Sequence, residues 1–151
     1  MTANLTADTS VVVASLGDWH ELQTTCRRRL DDVEWLPAQV IAESVSILSR
    51  LPGGLAVPLD VAIAAVAGTC QHARQLRADR YLPVLSAIAR AGLGGGAVYD
   101  ALIGATARDH DATLLSLDRR AQRTYAAVGA SFEDRRVTGL SDSSPAHTGA
   151  A

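Results

Sequence analysis

Lysine is absent from this 151-residue chain: all 14 basic residues are arginine. That absence excludes chemistry needing an amine or ammonium side chain, including the lysine of a Walker phosphate loop, a Schiff base to pyridoxal phosphate, and the lysine partner of a phosphoacceptor aspartate. Cysteine is scarce. Cys26 and Cys70 lie far apart and form no CxxC or Cys/His spacing, so neither a zinc site nor a disulfide framework is supported, and a reducing cytoplasm is expected. Aromatics number six (Trp19, Trp35, Tyr81, Tyr99, Tyr125, Phe132), which leaves Ala, Val, Leu and Ile to fill the interior. The most apolar stretch, Leu55 to Cys70, carries Asp60 and is too short to span a bilayer, and no positive leader precedes the first apolar run. A soluble, untargeted protein is expected. Balanced charge, −2 overall, provides no global positive field for nucleic acid, so any polyanion must be held locally.

What is present reads as one domain, because two folds of half this length would each lack core. The run Ser10 to Ala14 is short and β-branched, which predicts a buried parallel strand with Asp8 at its beginning. Trp19, Leu22, Cys26 and Leu30 recur at helical spacing between Asp18 and Asp32, with Asp18 as the expected N-cap. Pro37 opens a second helix to about Arg50, closed by Pro52-Gly53-Gly54. Pro58 to Cys70 predicts an Ala-rich buried helix, Tyr81 to Ala91 another, and Ala97 to Arg108 a third after Gly94-Gly95-Gly96. Thr113 to Leu117 predicts a second buried strand, Arg119 to Val128 a helix, and Ser131 to Glu133 a last short strand. This alternation implies a three-layer α/β/α domain over residues 1–137 with a short, mainly parallel central sheet. Residues 138–151 lose periodicity and are expected to be a disordered tail.

Four acids stand where such a fold gathers residues at one sheet edge. Asp8 flanks the first strand, Asp118 ends the second, Asp100 lies in the first turn of a helix, and Glu43 lies on the margin of an apolar helix face. Each alone has an ordinary explanation: a turn residue, an N-cap, a first-turn acid, a snorkelling margin residue. Brought together they would repel, one pair about 4 Å apart costing about 4 kcal/mol at an effective dielectric of 20. Without lysine, the compensation must be arginine, protonation, or a hard divalent cation such as Mg²⁺ or Mn²⁺. Such a cation would also activate water for phosphodiester hydrolysis.

Four ordered segments sharpen this. Ala7-Asp8-Thr9-Ser10-Val11-Val12-Val13, Val40-Ile41-Ala42-Glu43-Ser44, Gly95-Gly96-Ala97-Val98-Tyr99-Asp100-Ala101-Leu102-Ile103 and Ala112-Thr113-Leu114-Leu115-Ser116-Leu117-Asp118-Arg119-Arg120-Ala121 resemble the acidic blocks of the PIN-domain family, in particular VapC-type toxins of bacterial toxin–antitoxin pairs. The resemblance implies an endoribonuclease whose acidic pocket is Asp8, Glu43, Asp100 and Asp118. It makes Asp8 and Asp100 direct ligands of Mg²⁺ or Mn²⁺, Asp118 a ligand directly or through water, and Glu43 a water-mediated ligand or positioner of the attacking water. It places Ser10 and Ser116 behind these ligands as supporting hydroxyls, and implies a VapB-type antitoxin as partner and a homodimer. Two departures stand out: Ser116 where threonine is frequent, and no family motif from Pro52 to Arg80.

Rival readings are weaker. Gly92-x-Gly94-x-x-Ala97 superficially fits a dinucleotide fingerprint but follows a predicted helix rather than a strand. Asp8-Thr9-Ser10 lacks the second acid of a phosphatase loop. His20, His72, His110 and His147 have no ligand spacing and read as surface or helix-end residues. Arg27-Arg28-Arg29 reads as a solvated helix face, whereas Arg119, Arg120 and Arg123 flank Asp118 and are candidates for RNA phosphates. Two competing functions remain at this level: a PIN-like module that binds RNA or its antitoxin without cutting, and a nuclease acting on DNA or without an antitoxin.

Overall fold

The computed structural model describes residues 3–134, so the expected tail at 138–151 lies outside the described residues. A three-stranded parallel sheet forms the centre, ordered β1 (Leu5–Ala7), β4 (Thr113–Ser116), β5 (Ser131–Asp134). A second parallel pair, β2 (Leu36–Pro37) with β3 (Ala73–Arg74), is only two residues long. Helices α1 (Thr9–Leu16), α2 (Gln23–Leu30), α3 (Ala38–Leu48) and α4 (Leu59–Ala67) precede β3, and α5 (Tyr81–Arg90) and α6 (Ala97–Asp109) precede β4. α7 (Gln122–Ala127) joins β4 to β5. Central in this arrangement is α6, with Ala101 through Ala107 all buried.

The predicted strand at Ser10 to Ala14 is a helix instead. The first strand is the tripeptide Leu5–Ala7, fully buried and in register with Thr113 to Leu115. The Asp8 side chain then accepts the Val11 N–H and caps α1, so Asp8 follows its strand rather than beginning one. Burial of Val11, Val12 and Ala14 against the core outweighs the β-preference of three valines, a case of packing overriding local propensity.

Two further expectations change, and one stretch left unassigned gains a strand. α2 begins at Gln23, with Asp18 left in an exposed turn rather than serving as cap. α4 is not a buried helix: only Ala62 and Val66 are enclosed, packing with Leu48 as a small cluster, while Leu59, Val61 and Ile63 face outward. The polar stretch before α5 contains β3, fixed where the Leu36 N–H donates to the His72 carbonyl at 3.0 Å. No helix among the described residues is long and apolar enough to cross a membrane.

Candidate active site

Parallel strands place the segments that follow them at one edge, where α/β folds commonly hold ligands. Asp8 directly follows β1, and Asp118 lies two residues past β4. The first turn of α6 brings Asp100 to the same edge, and α3 contributes Glu43 from its middle. All four acids line a single open pocket of about 390 Å³, with Val13, Ile47 and Ile103 among its apolar walls. Among the described residues, no arginine lines it.

Asp8 is the most enclosed acid, 3% exposed, and donors surround it. Ser10 Oγ–H donates to Oδ1, Tyr125 Oη–H donates to Oδ2 at 2.8 Å, and Ser116 adds a further hydroxyl contact. Ser10 Oγ in turn accepts the Leu117 N–H at 2.9 Å, and Ser116 Oγ accepts the Asp118 N–H at 3.1 Å. The two serines thereby tie the loop after β4 to the acid after β1. Asp118 in turn accepts the Arg120 N–H at 2.9 Å.

Burial raises the Asp8 carboxyl above its ordinary range, against the pull of its hydroxyl and amide donors. For Glu43 the same desolvation comes first, Asp8 and Asp118 add repulsion, and Thr9 and Arg50 oppose it; the net direction is upward. Asp100 is pushed up to about 6, by burial first and then by the charges of Asp118, Glu43 and Asp8. The pocket is therefore an anionic site in which Glu43 and Asp100 feel the neighbouring carboxylates, with Arg50 offsetting part of the repulsion at Glu43.

Sequence reasoning missed three contributors. Tyr125 stands over Asp8, and its phenol is held protonated by burial and by that neighbouring carboxylate. Gly104 makes this possible: a Cβ there would lie 3.0 Å from both Tyr125 Cδ1 and Val128 Cγ2, so only a bare α6 backbone admits α7 so closely. Trp19 and His20 also line the pocket, although His20 has no ligand spacing in the sequence. The arginines near Asp118 stay outside: Arg119, Arg120 and Arg123 are exposed, and Arg119 Nε reaches Asp134 Oδ2 at 3.6 Å.

The donor set fits a hard divalent cation, being all carboxylate oxygen with hydroxyls behind it and like charges that raise Glu43 and Asp100. Geometry is less advanced: among the described residues no three acid, histidine or cysteine side chains already stand at the spacing of a metal cage.

A family model described as "PIN domain" matches residues 6–127. The chain belongs to the PIN-domain family. Two PIN relatives from Mycobacterium tuberculosis are curated as Ribonuclease VapC40, 37% identical over 119 residues (78% of this chain, 89% of that one), and Ribonuclease VapC27, 34% identical over 137 residues (83% and 92%). Solved structures share the fold. PAE2754 from Pyrobaculum aerophilum superposes with a TM-score of 0.60 at 17% identity, covering 91% of this chain and 93% of that one. FitAcB from Neisseria gonorrhoeae gives 0.58 at 21%, covering 85% and 95%.

Proposed function

We propose that this PIN-domain chain is a metal-dependent endoribonuclease toxin of the VapC type, hydrolysing RNA phosphodiester bonds until a VapB-type antitoxin neutralises it. The observation carrying this reading is that Asp8, Glu43, Asp100 and Asp118, from four separate stretches of chain, line one pocket with no arginine among its described lining residues. The two VapC ribonuclease relatives, similar along most of their length, support the substrate class.

Asp8 and Asp100 would hold Mg²⁺ or Mn²⁺, Asp118 would join them directly or through water, and Glu43 would complete the cup. When bound, such an ion supplies Lewis acidity and a more acidic water. The protein's own residues do the rest. Ser10, Ser116 and Tyr125 fix the orientation of Asp8. Glu43, half-buried and raised above the usual carboxylate range, is suited to accept a proton from attacking water. Arg119, Arg120 and Arg123 offer exposed guanidiniums to the RNA backbone. Two copies are expected to pair, which sedimentation at micromolar concentration checks.

The test is RNA cleavage with Mg²⁺ or Mn²⁺ against EDTA, for wild type, Asp8→Asn and Asp100→Asn. Cleavage should require the ion and both acids. Activity that survives chelation, or survives both substitutions, overturns the assignment. RNA binding without any product across divalent ions would favour the non-cutting module instead, a reading disfavoured by the presence of all four acids.

A further inference from the structure

One wall of the acidic pocket has no counterpart in the chemistry assigned so far. The turn between α1 and α2 carries Trp19 and His20 to the pocket, and Trp19 keeps 43% of its surface exposed there. An exposed indole beside a cluster of carboxylates contributes little to a core; Trp35, by contrast, is 1% exposed.

The turn is built to hold this indole in place. A Cβ at Gly17 would fall 2.5 Å from Trp19 Cε2 and 2.7 Å from Cζ2, so the ring lies directly on glycine backbone and no larger residue fits beneath it. The His20 N–H donates to the Gly17 carbonyl at 3.0 Å, and the Gln23 N–H to the His20 carbonyl at 3.1 Å. His20 Nδ1 accepts the Leu22 N–H at 3.1 Å, which leaves Nε2 as the ring's N–H donor. The two rings meet edge to face, centroids 5.6 Å apart. The result is an aromatic platform with one ring N–H donor, set beside acids that would act on a phosphodiester.

Resting on the ribonuclease reading above, we infer that Trp19 is a stacking platform for an unpaired nucleobase flanking the scissile phosphate, and that His20 orients the indole and offers Nε2–H to that nucleotide. Unpaired RNA presents a flat π-face next to each phosphate, and aromatic side chains commonly bind single strands by stacking on it. Because stacking tolerates any base, the platform selects unpaired over paired RNA more strongly than one base over another.

The test uses single-stranded oligoribonucleotides, the corresponding duplexes, and an abasic scan across the cleavage site. Affinity is followed by the fluorescence anisotropy of fluorescein-labelled RNA and, in chains that keep Trp19, by tryptophan quenching, both in an Asp100→Asn background that spares the RNA; cleavage is followed in the otherwise native chain. Trp19→Ala should weaken single-strand binding by about 10- to 100-fold, raising KM more than it lowers kcat, and Trp19→Phe should retain most of the affinity. Quenching should occur with single strands, be absent with duplex, and disappear in Trp19→Phe. One abasic position should penalise wild type but add nothing to Trp19→Ala, a pattern that a merely folded role for the indole cannot produce.

Ion-dependent cleavage by wild type with unchanged KM and no abasic coupling in Trp19→Ala overturns the platform and leaves the ribonuclease reading intact. A Trp19→Ala variant impaired only in antitoxin binding overturns it in favour of a protein-docking role. Failure of wild type to bind or cut RNA at all overturns both readings together.

Discussion

The two ends of the central sheet are opposites. At the amino end of the strands, polar groups satisfy one another: Asn4 Nδ2 donates to the carbonyls of His110 (2.8 Å) and Asp111 (3.2 Å), and Trp35 Nε1–H donates to Asn4 Oδ1 at 3.1 Å. The Arg74 guanidinium lies 5.1 Å over the same indole, and His110 meets its edge. At the carboxyl end, four acids share a pocket with no cation among its described lining residues, and burial, followed by the charges of the other three, pushes Asp100 up to about 6. One end is arranged for stability and the other holds repulsion in reserve for a ligand. A fold can carry the second only because the first, together with the core around α6, supplies the surplus.

The largest expected effect falls on the stable end. Trp35→Ala should destabilise the fold by about 3 to 5 kcal/mol, the usual loss for a large buried aromatic, read as a lowered denaturant midpoint. Next, Asp100→Asn should move activity and stability in opposite directions: RNA cleavage falls more than about 100-fold, beyond what loss of a supporting residue causes, while the metal-free protein melts at a higher temperature because a strained charge is gone. A melting temperature that also falls would mean the acids are not repelling one another. Tyr125→Phe keeps the packing and removes only the donor to Asp8, so metal affinity by titration calorimetry should drop about 10-fold.

The pH response should separate the two ends as well. Asp100 binds its proton more tightly folded (about 6) than unfolded (3.8), so ionisation costs stability above pH 6, and that cost vanishes as pH falls towards 4; Asp8 and Glu43 shift in the same direction. Without divalent ions the melting temperature should therefore rise between about pH 7.5 and 5.5, and the extra stabilisation by added Mg²⁺ should shrink over the same range, since proton and ion compete. Smallest of all, Arg74→Ala at the amino end should cost about 0.5 to 1 kcal/mol, with no effect on cleavage.

Much of the acidic end was legible in the sequence because its acids are punctuated. A glycine run announces the helix bearing Asp100, and a buried four-residue strand leads straight to Asp118. Asp8 was legible as a sheet-edge acid but on the wrong side of its strand: Leu5–Ala7 is too short to show alternation, and the valines after it imitate a strand. Trp19 and His20 reach the site through a turn held by backbone hydrogen bonds, which leaves no periodic trace. Tyr125 depends on the bare backbone of Gly104, a packing relation between residues 21 positions apart. The pairing of β2 with β3 is likewise decided by tertiary contact, since two residues carry no pattern.

Asp8 has two employments, since the carboxylate offered to the pocket also accepts the Val11 N–H in the first turn of α1. Alanine at this position would therefore fray a helix as well as remove a carboxylate from the pocket, so its inactivity alone would say little about chemistry. Asparagine caps helices about as well as aspartate while lacking the charge, which makes it the informative replacement at the bench. By the same logic, a descendant of this chain drifting towards harmlessness has an easy path through asparagine and a hard one through any apolar side chain.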